Sequence, residues 1–112
     1  MDKLTKYRSI IVAILQRHAQ FTNSDDNAES CAICDEKTDN YLLSDVGWHA
    51  SGLRLHSFPI HVRLKEDKFW IEWDGTEYGV ANELMDAGVP EKDILLAFHG
   101  REQGKTPELM AA

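Results

Sequence analysis

The run from Lys68 to Phe98, KFWIEWDGTEYGVANELMDAGVPEKDILLAF, leaves the chain the least conformational choice. Its opening, Phe69 to Trp73, is aromatic and β-branched and reads as a strand. A period of two puts Phe69, Ile71 and Trp73 on one face and Lys68, Trp70 and Glu72 on the other. Asp74-Gly75 then breaks the strand. A helix is predicted from about Gly79 to Ala87, stopped by Gly88 and Pro90. The apolar run Ile94 to Phe98 reads as a returning strand. The expectation is a β-α-β unit with its own core, on which the upstream chain packs.

Upstream, Leu4, Tyr7, Ile11, Ile14, His18 and Phe21 recur at helical spacing, with Lys3, Lys6, Ser9, Ala13 and Gln16 opposite. An amphipathic helix from about Asp2 to Gln20 follows. Thr22 to Glu29 is polar and turn-rich, a predicted loop. Ser30 to Cys34 is a short strand and Asp35 to Asp39 a charged turn. Asn40 to Trp48 is a strand with Leu42, Val46 and Trp48 on one face and Tyr41, Leu43 and Asp45 on the other. After a turn at His49 to Gly52, Leu53 to Leu64 is a long strand interrupted by Pro59, where a bulge or an edge position is expected. Glu66-Asp67 turns the chain back as a hairpin. Trp48 and Trp73 are assigned to the core. In the tail, Leu109-Met110 could dock on that core.

The predicted class is α+β: an N-terminal helix, a mostly antiparallel four- to five-stranded sheet, and a second helix after the fourth strand. At 112 residues, a single domain spanning 1–112 is expected. No apolar run reaches membrane-span length, and the N-terminus has no secretory pattern, so a cytoplasmic location is expected. The formal charge of -7 and pI near 5.1 argue against direct contact with nucleic acid, which needs a Lys/Arg stripe on one face. An acidic surface suits a partner with a basic groove.

Three constellations invite chemistry. Cys31 and Cys34 form a C-x-x-C, but no second pair exists, and in a strand the two point to opposite faces. They read as half-buried strand cysteines. His56, His61 and His99 could meet an acid, Asp45 or Glu72, as a facial metal site. That reading needs the Pro59 bulge to bring His56 and His61 to one face. Asp74 and Glu77 stand where a strand opens into a helix, a place the helix dipole favours for acids. No nucleophile elbow, phosphate-binding loop or dinucleotide fingerprint is present. No catalytic residue, metal or cofactor is assigned. Trp70, Asp74, Glu77 and His99 are the residues assigned to a partner interface.

The blocks Met1-Asp-Lys-Leu4, Tyr7-Arg8, Tyr41-Leu-Leu-Ser-Asp-Val-Gly-Trp48, Ile60-His61, Lys68-Phe-Trp-Ile71, Asp74-Gly-Thr-Glu77, Glu83-Leu84, Ala87-Gly-Val-Pro90, Lys92-Asp-Ile94 and Phe98-His99 resemble the XisI family, the fdxN element excision controlling factors of cyanobacteria. The resemblance covers nearly the whole chain. It departs at Cys31 to Asp35 and at Gly100-Arg-Glu-Gln103, and Pro107 separates Thr106 from Glu108. What it implies is a non-enzymatic accessory role in programmed DNA excision during heterocyst development, in which a site-specific recombinase cuts. The implied partner is XisH, a companion that resembles restriction-type nucleases. A homodimer through the Trp70 face, a direct DNA-binding factor, and a small metal-dependent enzyme using His61 or His99 with an acid stand as alternatives.

Overall fold

Asp2 opens the first helix by accepting the Thr5 N–H at 2.7 Å, so an orphan amide is capped by a side chain. The computed structural model describes residues 2–20 and 27–100, with residues 99 and 100 described by backbone alone. In order these form α1 (Lys3–Gln20), β1 (Asn27–Asp35), β2 (Asn40–Trp48), β3 (Arg54–Lys65), β4 (Lys68–Asp74), α2 (Val80–Asp86), a 3-10 turn (Glu91–Asp93), β5 (Ile94–Leu96) and α3 (Ala97–Gly100). The expectations for Phe21, for the 22–26 loop and for the tail at Leu109-Met110 lie outside the described residues.

The strands lie in the order β1-β2-β3-β4-β5. The first four form an antiparallel meander, and β5 returns parallel to β4 across α2. The β3–β4 hairpin turns at Glu66 and Asp67, both left-handed at φ 57 and φ 60, the backbone that a two-residue hairpin twist requires. Gly47 lies against the edge strand so closely that a Cβ there would sit 2.2 Å from the Asn27 carbonyl oxygen. That approach is why β2 can carry only glycine at this point.

The helices α1 and α2 cover one face of the sheet. Tyr7, Ile11, Ile14 and Leu15 of α1 join Tyr41, Leu43, Ile60, Val62, Leu64, Phe69, Ile71, Val80 and Leu84 in one buried cluster. The β-α-β unit therefore shares its main core with α1, and the cluster it forms by itself is limited to Trp70, Leu95 and Ala97. Tyr7 stacks on Phe69 with ring centroids 4.7 Å apart. Polar ties reinforce the cover: His18 Nε2 lies 2.7 Å from Glu83 Oε2, joining α1 to α2. Arg8 donates from Nε and Nη2 to the two Asp39 carboxylate oxygens at 2.9 and 3.1 Å, joining α1 to the β1–β2 turn.

Two irregularities set the faces. In β3, Leu43 pairs with Ile60 but Asp45 pairs with Ser57, so the bulge expected at Pro59 is present, in an interior strand. In β4, His61 pairs with Trp73 while Val62 pairs with Ile71, leaving Glu72 as an extra residue. An extra residue reverses the alternation beyond it. Phe69 and Ile71 face the helices, but past Glu72 it is Asp74, opposite the buried Ile60, that does so. This corrects two assignments. Trp73 is 55% exposed because the bulge turns it to the other face. Trp48 is 49% exposed because Leu42, Val46 and Trp48 lie on the face that no described helix of the core cluster covers. Two boundaries also move. β1 begins at Asn27, where pairing with Trp48 overrides the polar composition. The returning strand ends at Leu96, and Ala97 starts α3.

Asp93 is 3% exposed and accepts from the Tyr7 hydroxyl at 2.6 Å and the Lys3 ammonium at 3.0 Å. Burial works to raise its pKa, yet the Tyr7 and Lys3 contacts prevail and hold it below 3.8. The Arg8 guanidinium likewise holds Asp39 below 3.8. A depressed folded-state pKa adds stability above the unfolded value that is lost as pH falls through the folded one. Burial, then the Asp93 contact, pushes Tyr7 from 10.0 up to about 12, so its contribution is present below pH 10 and lost as pH rises toward 12. The expected result is a urea midpoint that declines below about pH 4 and above about pH 10. Asp93→Asn should flatten the acid limb. An unchanged acid limb in that variant would refute the assignment.

Candidate partner-binding surface

Both bulges act on the same thing, the face of the sheet away from α1. On β1 this face carries Glu29, Cys31 and Ile33, and on β2 Leu42, Ser44, Val46 and Trp48, as the pairs Cys31–Ser44 and Ile33–Leu42 require. On β3 the Pro59 bulge brings Arg54, His56 and Phe58 to the same side as His61, Arg63 and Lys65. His56 and His61 thus share a face, as a metal reading requires. Among the described residues, however, no group of three His, Cys, Asp or Glu side chains converges on a metal position. His61 Nε2 lies 2.9 Å from Asn40 Oδ1, and burial holds its pKa below 6.5 against the raising effect of Glu72.

The surface is apolar with a cationic spine. Trp48, Phe58, Trp73 and Ile33 are 49%, 45%, 55% and 43% exposed. The Arg54 guanidinium lies over the Trp48 ring, 5.0 Å from its centroid. The His56 and Phe58 rings are 6.0 Å apart, and Trp73 opposes His61 in the ladder. Glu72 pairs with Arg63 at 3.6 Å. The chain has 19 acidic and 12 basic residues, yet the outward row of β3 holds Arg54, His56, His61, Arg63 and Lys65 and no acid. The β3 row thus departs from the acid surplus of the whole chain, with Glu29 of β1 and Glu72 of β4 flanking it.

The residues assigned to an interface fall in different settings. Trp70 is on the face opposite Phe69 and Ile71, as read, but it is 4% exposed, packed with Leu95 and Ala97. Its indole N–H donates to the Lys65 carbonyl at 3.1 Å. β5 and α3 have already covered it, so it offers little area to another molecule. Asp74 accepts the Thr76 N–H at 2.9 Å on one oxygen and the Val80 N–H at 2.7 Å on the other. It is the capping acid of α2, the role that its place before a helix suggests. Glu77 is exposed nearby, and the His99 side chain lies outside the described residues. A groove beside Asp74 is lined by Ala81, Met85, Ile94, Leu96 and Phe98.

Cys31 and Cys34 are free and exposed, not half-buried, because β1 is the edge strand and its outer side meets nothing in the core cluster. Three steps of strand separate their Cα atoms by about 10 Å, beyond the roughly 7 Å that a disulfide spans. The aromatic row itself was missed from sequence. Pro59 signalled one reversal, but nothing in KFWIEWD signals the other except the need to bring Asp74 to α2.

A family model described as XisI protein matches residues 1–109. Among solved structures, a XisI-like protein from Anabaena variabilis is 32% identical, with a TM-score of 0.77 over 85% of this chain and 86% of that one. The fdxN element excision controlling factor XisI of Anabaena variabilis is 34% identical, with a TM-score of 0.74 over 91% of this chain and 98% of that one. No curated protein matches the chain.

Proposed function

The chain belongs to the XisI family, and we propose that it is an accessory factor controlling the excision of a DNA element by a site-specific recombinase. It acts through protein partners, with an XisH-like, nuclease-fold companion as the direct one. The observation that carries the reading is the likeness, over nearly the full length of both chains, to a protein described as an excision controlling factor. The site chemistry supports it. Asp74, the acid at the strand–helix junction, has both oxygens engaged, one by Thr76 in the loop and one by the first amide of α2. Met85 and Leu96, exposed in the groove beside Asp74, are apolar side chains of the kind that protein interfaces bury at their centres. The acid surplus on the rest of the surface fits a basic nuclease cleft and would speed encounter. No described helix is long and apolar enough to cross a membrane.

Co-purification of the full chain with its XisH-like companion, at low and high salt, tests this. A stoichiometric complex at low salt that weakens as salt rises is expected. Absence of a complex at low salt would refute the partnership.

A further inference from the structure

A row of basic side chains down the middle strand of an open sheet, with one aromatic ring beside Arg54, one beside His56 and one across from His61, is suited to a chain of phosphates and bases. We propose that the face carrying Trp48, Phe58 and Trp73 binds single-stranded DNA. The choice of DNA rests on the excision role proposed above; the single-strand chemistry rests on the face itself.

Three observations carry it. First, the rings are open: Trp48, Phe58 and Trp73 are each about half exposed, on three adjacent strands. Bases of any sequence stack on such rings. Second, each ring has a basic group beside it: Arg54 over Trp48, His56 beside Phe58, and His61 across from Trp73. Third, the outward row of β3 is basic, with Glu72 paired to Arg63 at its side. The outward row of β3 continues to Arg63 and Lys65, with Lys68 opposite Lys65, while the chain as a whole carries -7. The objection from net charge applies to the average surface and not to this strip.

A second copy of the chain fits the face less well. A two-fold axis through the centre of the sheet would lay the cation row of β3 over its own mate, placing like charges together. An anionic occupant removes that conflict. Duplex DNA offers phosphates but keeps its bases stacked on one another, so the three rings would have nothing to hold.

The test uses the purified full chain and a fluorescein-labelled oligothymidylate, with oligouridylate, a duplex of equal length and polyglutamate as competitors. Fluorescence anisotropy should show binding that weakens roughly twentyfold between about 50 and 200 mM salt, for three phosphate contacts at a slope near 0.7 each. Intrinsic tryptophan emission should quench on binding. Trp48→Ala and Trp73→Ala should each weaken binding about tenfold, and Arg17→Ala on the helix side should leave it unchanged. Both tryptophans are half exposed, so the variants should fold, with circular dichroism as the check. No anisotropy change with oligothymidylate would overturn the proposal. So would equal binding by both tryptophan variants, tighter binding of oligouridylate or the duplex, or displacement by polyglutamate at equal charge. Because the companion protein is absent from this assay, its outcome is independent of the co-purification.

Discussion

Phe69→Ala is expected to destabilise the protein by about 3–5 kcal/mol, the largest loss from any single truncation in the sheet. The ring is fully buried at the centre of the main cluster. It stacks on Tyr7 at 4.7 Å, opposes Leu64 in β3 and pairs with Ile94 across the parallel ladder. α1, the meander and β5 all meet on it, so a cavity there cannot collapse by moving one element alone. Against a total margin of about 5–15 kcal/mol, the loss should be plain in urea unfolding followed by circular dichroism. Trp73→Ala removes a larger ring from the same strand but should change stability by about 1 kcal/mol or less, because that ring faces solvent. A Phe69→Ala loss below about 2 kcal/mol would mean that the ring does not join the three elements as described.

Asp74→Ala should rank next, at about 1–3 kcal/mol. One carboxylate oxygen accepts the Thr76 N–H and hydroxyl, and the other accepts the Val80 N–H at 2.7 Å. Truncation therefore frees the loop before α2 and leaves the first amide of that helix unpaired. Asp74→Asn keeps an acceptor and should recover part of the loss. Glu72, the bulge residue beside it, is the contrast. Its side chain makes a part-exposed pair with Arg63 at 3.6 Å, worth well under about 1 kcal/mol, so Glu72→Ala should be nearly neutral in urea unfolding. The bulge is what lets Asp74 face α2 with Glu72 in the chain, since it sets Trp73 opposite His61 and Asp74 opposite Ile60. An Asp74→Ala loss no larger than that of Glu72→Ala would mean that the carboxylate does not hold the start of α2.

That bulge also marks where the sequence stopped being readable. Helical spacing from Leu4 to Ile14 placed α1 because burial on one side of a helix follows directly from a 3.6 period. Turn chemistry placed the hairpin at Glu66-Asp67 and the end of α2 at Gly88, since those positions need left-handed backbone. The bounds of β2, Asn40–Trp48, also agree. Alternation failed for Trp73 because it assumes a regular ladder, and the extra residue is specified by the partner strand and by α2. It failed for Trp48 and for the cysteines for a different reason. Which strand is the edge, and which face the helices leave open, are properties of the assembled sheet. Alternation places Trp70 on the face it occupies, but its cover, Leu95 and Ala97, comes from chain that returns only after α2. The capping role of Asp74 was legible because a strand-to-helix junction offers an acid the same amides in any fold.

The bond between Tyr7 and Asp93 spans 86 positions, and it bears on how the molecule is made. A chain leaving the ribosome delivers α1 well before the 3-10 turn. The meander can close on itself as it emerges, since each hairpin joins neighbours in the chain. α1 can lie against it early, but its first turn gains its buried acid only when residue 93 is free of the exit tunnel. Until then the Tyr7 hydroxyl lacks its buried acid, and the N-terminal end of the helix locks only after the meander it lies on.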